Sequence, residues 1–183
     1  FDFPNNPKGS KGTNSVSKSG FRVPSDAALD YYKKRFEEFD VHHEDITESF
    51  GTKVMTFWDE DEQAYQLISD EKNAGMKAGT PWKKGPVPEE FAIYGLGRVE
   101  VTISYLENFK SLMQQVFGFK EIAREDNRYL MEVGEGGNGA QMVLIDDTKS
   151  HEGRQGYGEV HHIAFRLAKR DSLFVWKDLL DRL

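Results

Sequence analysis

Apolar side chains along this chain follow a pattern that occurs three times. Each copy opens with a short stretch in which apolar and polar residues alternate, which predicts a strand with one buried face. The spacing then changes to the 3.6-residue period of a helix. In the first copy the alternating stretch ends at 21–23, and the helical positions are Leu29, Tyr32, Phe36 and Phe39. Each copy therefore predicts a strand followed by a helix that packs one side against a sheet.

The two other copies lie at constant offsets of 80 and 144 residues from the first. The second has its apolar positions at Val101, Ile103, Phe109, Leu112, Val116 and Phe119. The third has them at Phe165, Leu167, Leu173, Trp176, Leu180 and Leu183. Alternating segments after the first two helices predict three further strands in each copy, near 45–48, 52–58 and 64–68 and at 120–125, 128–133 and 141–145. The repeating unit is therefore βαβββ.

This repeat predicts an α+β fold of tandem βαβββ units in which the complete units lie side by side. The predicted divisions are 1–12, the end of a truncated first unit with a connector; 13–73, a complete unit; 74–90, a linker; 91–150, a second complete unit; and 151–183, the first strand and helix of a truncated fourth unit. The first four residues resemble the end of a strand, and Leu183 falls inside an apolar-periodic helix. We therefore expect a parent protein of four units.

Composition limits the possible chemistry. The formal charge is −7, and the Lys and Arg residues are mixed among Asp and Glu, so we expect no nucleic-acid partner. No apolar run reaches the roughly 20 residues that span a bilayer, and no signal peptide is evident, which predicts a cytoplasmic protein without a membrane partner. Cysteine is absent. A metal would therefore be held by His, Asp or Glu, ligands that suit ferrous iron, manganese or zinc.

Three motifs carry a resemblance to a known family. They are 153–166 (GRQGYGEVHHIAFR), 88–96 (PEEFAIYGL), and 118–121 (GFKE) followed by 133–137 (VGEGG). They resemble the ring-cleaving dioxygenases of the vicinal oxygen chelate (glyoxalase/bleomycin-resistance) superfamily, including the hydroquinone and catechol dioxygenases of bacterial quinone-resistance operons. The resemblance covers nearly the whole chain. It implies opening of a dihydroxylated aromatic ring by O₂ with Fe(II) or Mn(II).

The same resemblance implies a metal site of two His and one Glu. Only the His of the fourth unit maps onto this sequence, at His162, so the other two ligands are expected outside this chain. We therefore expect this chain to be inactive by itself. Its truncated units should leave strand edges and an apolar helix stripe exposed (Leu173, Trp176, Leu180), which predicts a homo-oligomer.

Strand alternation separates the two adjacent histidines. In a strand at 160–167, His161 shares its face with Ile163 and Phe165, whereas His162 shares the opposite face with Ala164. The apolar residues should face the helix, so His162 should point into the concave side of the sheet as the metal ligand. His161 is the candidate catalytic residue, as a base beside the metal site. The alternative is a histidine pair at the edge of the core, satisfied by backbone groups.

The repeat provides internal comparisons for His162. Its counterparts in the complete units are Lys18 and Arg98, and Gln66 stands where the family's carboxylate would lie in the first of them. The complete units are therefore expected to hold no metal. The four residues 42–45 (HHED) include four potential ligands, but neighbouring strand residues face opposite ways, which favours a solvated strand edge.

Two other functions remain open at this stage. A protein of the same fold could bind an aromatic ligand without a metal, as bleomycin-resistance proteins do, and His162 argues against that alternative. A glyoxalase-type isomerase would use the same superfamily site. Metal content of the full-length protein distinguishes the enzyme from the metal-free binder.

Overall fold

The structure, a computed structural model, describes residues 5, 7–167, 169 and 172–182. The first unit comprises β1 (Ser15–Val23), α1 (Asp26–Glu38), β2 (Thr47–Ser49), β3 (Thr52–Trp58) and β4 (Ala64–Ser69). The second begins with a 3-10 turn at Glu89–Phe91 and comprises β5 (Gly95–Ile103), α2 (Leu106–Gln115), β6 (Lys120–Glu125), β7 (Arg128–Glu132) and β8 (Gln141–Asp146). A third helix, α3, spans Ser172–Leu180.

All eight strands form one mixed sheet in the order β2-β3-β4-β1-β5-β8-β7-β6. Within each unit the first strand is parallel to the last, β1 to β4 and β5 to β8. The two units join through an antiparallel pair, β1 with β5, in which Ser15 lies opposite Thr102 and Arg22 opposite Gly95. This arrangement confirms the predicted fold class of tandem βαβββ units.

Each helix packs on its own unit because its apolar stripe meets the alternating apolar face of the strands. Leu29 and Tyr32 of α1 are buried with Met55 and Leu67. In the second unit, Leu106 and Met113 of α2 are buried with core residues Val101, Ile103, Met131, Met142 and Leu144. Ser25 starts α1 by accepting a hydrogen bond from the backbone N–H of Ala28 at 3.3 Å. We call the sheet surface opposite the helices the inner face.

One predicted element is absent. The segment 160–167 was expected to be the first strand of the last unit, but no residue in it has strand structure. β1 and β5 are each paired on both sides, whereas 160–167 has no strand partner among the described residues. Alternating side chains favour an extended backbone, but a strand also needs a ladder of hydrogen bonds.

Smaller differences occur elsewhere. β2 begins at Thr47 rather than near Asp45, because the chain pairs with β3 through an isolated bridge at His43 and then leaves the ladder. The expected exposed stripe of the last helix is wrong at Trp176, which stacks on Phe117 with ring centroids 5.5 Å apart. The first four residues and Leu183, from which the truncation of the units at 1–12 and 151–183 was inferred, lie outside the described residues. No described helix has both the length and the apolar character needed to cross a membrane.

Candidate functional site: two histidines and the inner face of the sheet

The segment before the histidines is fixed against the N-terminal connector. Ser10 and Arg154 exchange two backbone hydrogen bonds, of 2.9 and 3.0 Å, and further bridges join Lys8 to Tyr157 and Thr13 to Glu152. The two segments of this contact lie so close together that a Cβ on Gly156 would be 2.3 Å from the backbone of Gly9. The glycines in the motif 153–166 therefore allow this close approach, and the motif begins on a fixed backbone.

The two candidate histidines lie directly after this contact and are both exposed. Their Nδ1 atoms are 3.2 Å apart, and their rings meet edge to face with centroids separated by 5.4 Å. Neutral imidazoles can share such a contact as donor and acceptor, whereas two imidazolium rings would repel each other.

The two side chains nevertheless have different surroundings. His161, with Val160, Ile163 and Phe165, lines a cavity of about 330 Å³ whose other walls come from α2, β1, β5 and β8. His162 is not part of that lining. Phe165 is held there by Phe117 and Phe119, at centroid distances of 5.3 and 6.1 Å. His161, Ile163 and Phe165 therefore face the helix side, as the sequence predicted. Val160, which shares the predicted face of His162, lines the same cavity, so the alternation is incomplete and the segment is not a strand.

The counterparts of His162 lie on the inner face. Lys18 Nζ is 3.3 Å from Thr56 Oγ1 and 3.7 Å from Glu100 Oε2. Arg98 is 1% exposed, and its Nη2 donates to the backbone oxygen of Ser49 at 3.1 Å. Burial lowers the pKa of Arg98 to about 10, against the partly compensating charge of Glu100. These positions carry cations in a buried network.

Glu100 and Phe50 complete this inner-face network. Arg128 Nη2 is 2.5 Å from Glu100 Oε1, and its Nη1 donates to Ser49 Oγ at 3.0 Å. Phe50 projects from the β2–β3 turn, with its ring 5.8 Å from Arg98 Cζ and 5.2 Å from Arg128 Cζ. The backbone N–H of Phe50 donates to Glu125 at 2.6 Å. The turn of the first unit is thereby anchored on charged side chains of the second.

The described residues supply too few ligands for the expected metal site. Across the described ranges, no three His, Cys, Asp or Glu side chains converge on a point where a metal ion could bind. His42 and His43 diverge, because His42 stacks on Trp58 at 4.4 Å while His43 Nδ1 lies 2.8 Å from the backbone oxygen of Val41. A site with two His and one carboxylate needs three ligands. His162 by itself does not fit that requirement.

The inner-face network was not anticipated as a unit. Lys18, Arg98 and Gln66 were identified only as positions unsuited to a metal, and Phe50, Glu100 and Arg128 were not singled out. A signal was present in β5, because Glu100 lies between Val99 and Val101, which pack in the core on the helix side, and Arg98 precedes Val99. Charges at such positions must lie on the opposite face of the sheet.

Comparison with known proteins shows which proteins this chain is similar to. No protein-family model matches the chain. MhqA of Bacillus subtilis (strain 168), a protein named as a ring-cleaving dioxygenase, is 39% identical over 176 residues, which cover 93% of this chain and 55% of MhqA. The chain is thus similar to a ring-cleaving dioxygenase over nearly its whole length, and its paired βαβββ units have the vicinal oxygen chelate fold. This confirms the resemblance drawn from the three sequence motifs.

Two further comparisons agree with that assignment. The chlorohydroquinone/hydroquinone 1,2-dioxygenase of Sphingobium indicum is 25% identical over 166 residues, covering 89% of this chain and 50% of that enzyme. A crystal structure of a dioxygenase-like protein from Bacillus subtilis superposes with a TM-score of 0.83 at 22% identity, covering all of this chain and 56% of that one. The latter supports the vicinal oxygen chelate fold alone. The chain spans about half the length of the curated relatives it matches.

Proposed function

We propose that the full-length protein is a metal-dependent dioxygenase that opens a dihydroxylated aromatic ring, of the hydroquinone or catechol type, with O₂. The observation that carries this proposal is the 39% identity to MhqA across 93% of the chain. The name of the Sphingobium relative, a chlorohydroquinone/hydroquinone 1,2-dioxygenase, supports the substrate class. The metal, Fe(II) or Mn(II), would hold the diol oxygens and O₂ next to each other.

His162 is the proposed metal ligand within this chain. Its support is positional: Lys18 and Arg98, its counterparts at offsets of 144 and 64 residues, both lie on the inner face. A fourth unit with the same alternation would direct His162 to its own inner face. The remaining His and Glu are proposed to lie outside this chain, and the chain by itself is proposed to be inactive.

His161 is the proposed base beside the metal site. It lies next to His162 along the chain, lines an apolar cavity, and has its Nδ1 atom 3.2 Å from Nδ1 of His162. An imidazole can act as a general base toward an aromatic hydroxyl.

The organisation of the parent follows from the repeat. We propose four units, of which 13–73 and 91–150 are the complete ones, joined by the linker 74–90. The residues 1–12 and 151–183 would belong to the outer units, which pair with each other as the complete units do. The protein is proposed to act in the cytoplasm as a homo-oligomer, without a nucleic-acid partner.

Metal content and turnover of the full-length protein test this proposal. After anaerobic loading with iron, the protein should hold one metal ion per chain and consume O₂ with a hydroquinone or a catechol. The 183-residue chain should show neither property. Stoichiometric metal without ring opening on either substrate class would contradict the proposed reaction.

The second candidate function is a metal-free binding protein for an aromatic ligand. It is favoured by the cations, in place of metal ligands, on the inner face of the complete units. Binding of an aromatic diol by a full-length protein that contains no metal would support it over the dioxygenase.

A further inference from the structure

The turn between β2 and β3 has a conformation that its sequence does not favour. Ser49 pairs with Thr52, which leaves Phe50 and Gly51 as a two-residue loop with φ of 52° and 72°. Positive φ at both positions defines the hairpin turn that normally has Asn, Asp or Gly at its first position. A bulky aromatic residue is strained there. Contacts made by the Phe50 ring must therefore compensate for that strain.

Those contacts define a position for an aromatic ring on the inner face, next to Arg98 and Arg128. We call this position the aromatic seat. Two guanidinium groups, of Arg98 and Arg128, lie 5.8 and 5.2 Å from the Phe50 ring. Guanidinium groups at this distance attract the electron-rich face of a ring, most strongly where water is excluded. Arg98 is 1% exposed, so at least one of the two lies in such a place. The seat therefore favours an aromatic ring over an aliphatic group of similar size.

The same surface has unused hydrogen-bonding capacity. The Nε–H of Arg98 is buried and has no partner in the described structure, and Oε1 of Gln66 is buried in the same condition. Both residues lie on the inner face, where Gln66 pairs through the sheet with Thr56 and Gly20. Buried polar atoms without partners are rare in native proteins and are costly. A hydroxyl group beside the seated ring could accept from one of them or donate to the other.

The charge of the network suits such a group. Lys18 and Arg128 form ion pairs with Glu100, and Arg128 also pairs with Glu125. The third cation, Arg98, interacts with both carboxylates through its charge. The excess of one positive charge favours an electron-rich oxygen or a phenolate over a second cation. Phe50 fills the ring position but offers no oxygen to Arg98.

We propose that the inner face of the two complete units is a binding site for a small phenol, in which Phe50 is the resident occupant. The phenol ring replaces the Phe50 ring against Arg98 and Arg128, and its oxygen accepts a hydrogen bond from Arg98 Nε. Loop 49–51 moves outward when this happens, and the strain at Phe50 lowers the cost of that movement. The site needs no metal and contains neither His161 nor His162.

The variant Phe50→Gly tests the site in the 183-residue chain, with phenol as the probe. Glycine accepts the positive φ and vacates the seat. Phenol should raise the thermal midpoint of Phe50→Gly saturably and bind it on the order of tenfold or more tightly than the unaltered chain, because the latter must first displace its own ring. Phenol has a single hydroxyl and is not a diol substrate, so failure of this test leaves the proposed dioxygenase untouched.

Two controls make the outcome specific. Cyclohexanol has a similar size and a hydroxyl but no aromatic ring, and it should bind Phe50→Gly on the order of tenfold more weakly than phenol does. The variant Phe39→Gly removes an exposed ring, 59% accessible, and should gain no affinity for phenol. Equal binding of phenol and cyclohexanol, or no gain in Phe50→Gly relative to Phe39→Gly, would overturn the proposal.

If Phe50→Gly does not fold, the resonance of Arg98 in the unaltered chain tests whether phenol binds this site. The Nε–H resonance of Arg98 should shift saturably as phenol is added and should not shift with cyclohexanol. The variant Arg98→Lys lacks the Nε donor and the planar guanidinium. Phenol should therefore no longer shift the resonances of inner-face residues in that variant. An Arg98 resonance that is unaffected by phenol up to its solubility limit excludes the site.

Discussion

Arg22 and Asp70 form an ion pair in which both side chains are almost completely buried, 3% and 4% exposed. Arg22 Nε donates to Asp70 Oδ2 at 2.8 Å, and Nη2 lies 2.7 Å from the same oxygen. Arg22 also donates to the backbone oxygen of Met76 at 2.9 Å, and Tyr94 OH donates to Asp70 at 2.8 Å. Met76 and Tyr94 lie at the two ends of the connection between the units. The ion pair therefore fixes this connection to the sheet.

Replacing Asp70 by Asn should destabilise the protein strongly. The substitution leaves the buried guanidinium of Arg22 without a counter-charge, a loss of about 3–5 kcal/mol in the free energy of unfolding. Urea unfolding followed by circular dichroism measures it. The matched control is Asp45→Asn, since Asp45 is 82% exposed and pairs with Lys33 at the surface. If the two variants unfold at the same urea concentration, the ion pair does not have the proposed role.

Tyr94 should make stability fall at high pH. Burial, and then the hydrogen bond and negative charge of Asp70, raise the pKa of Tyr94 from 10 to about 12. Because the folded pKa is raised, the neutral form contributes stability that is complete below pH 10 and is lost as the pH rises through 12. The stability difference between the unaltered protein and Tyr94→Phe should be constant below pH 10 and shrink above it. Urea midpoints over this range measure that difference, and an increase with pH would contradict the assignment.

Glu100 should be the most sensitive member of the inner-face network. Its carboxylate, 5% exposed, lies between Lys18 and Arg128. Glu100→Gln leaves the partly buried Lys18 and Arg128 without this counter-charge and should cost about 3 kcal/mol of unfolding free energy. The second change Arg128→Met should restore part of that loss, because it removes one of those cations. Glu89→Gln is the control, since Glu89 and Lys83 are both more than half exposed. An effect no larger than that of the control would exclude this role of Glu100.

The two histidines should differ in the full-length protein. His162→Ala should remove bound metal and activity together. His161→Ala should keep most of the metal while turnover falls roughly 10- to 100-fold, as for a group that acts beside the ligands. Metal content by mass spectrometry, measured beside turnover for both variants, separates the roles. If His161→Ala empties the site and His162→Ala retains the metal, the assigned facing of this segment is wrong by one residue.

Helix α3 should promote self-association of the 183-residue chain. Its exposed apolar side chains are Leu173, Phe174, Val175, Leu179 and Leu180, at 42–69% exposure. Five exposed apolar side chains on one helix of nine residues are uncommon on soluble monomers. Sedimentation velocity should show association that increases with concentration and is weakened in Phe174→Glu. Leu96→Glu, which changes a 73% exposed residue on β5, is the control. Equal sedimentation of the two variants would assign the association to another surface.

The amino-acid sequence by itself determined the repeating unit and its phase. The offset of 80 residues relates β1, at Ser15–Val23, to β5, at Gly95–Ile103, without a shift at either end. Such elements are predictable because the periodic placement of apolar residues dictates both the secondary structure and the face that is buried. The same alternation separated His161 from His162, and only His161 lines the apolar cavity.

Tertiary structure decided what the local pattern could not. The segment 160–167 alternates as β1 does but has no ladder partner in the part of the chain that the structure describes, so it does not form a strand there. The Phe50 N–H binds Glu125, 75 residues away, and Arg98 reaches back 49 residues to Ser49. These contacts depend on the β1–β5 pairing that brings the two units together. The sequence places each charge on a face of its own strand, but only the assembled sheet determines which charges meet, because hydrogen bonds and ion pairs require a partner at a defined distance.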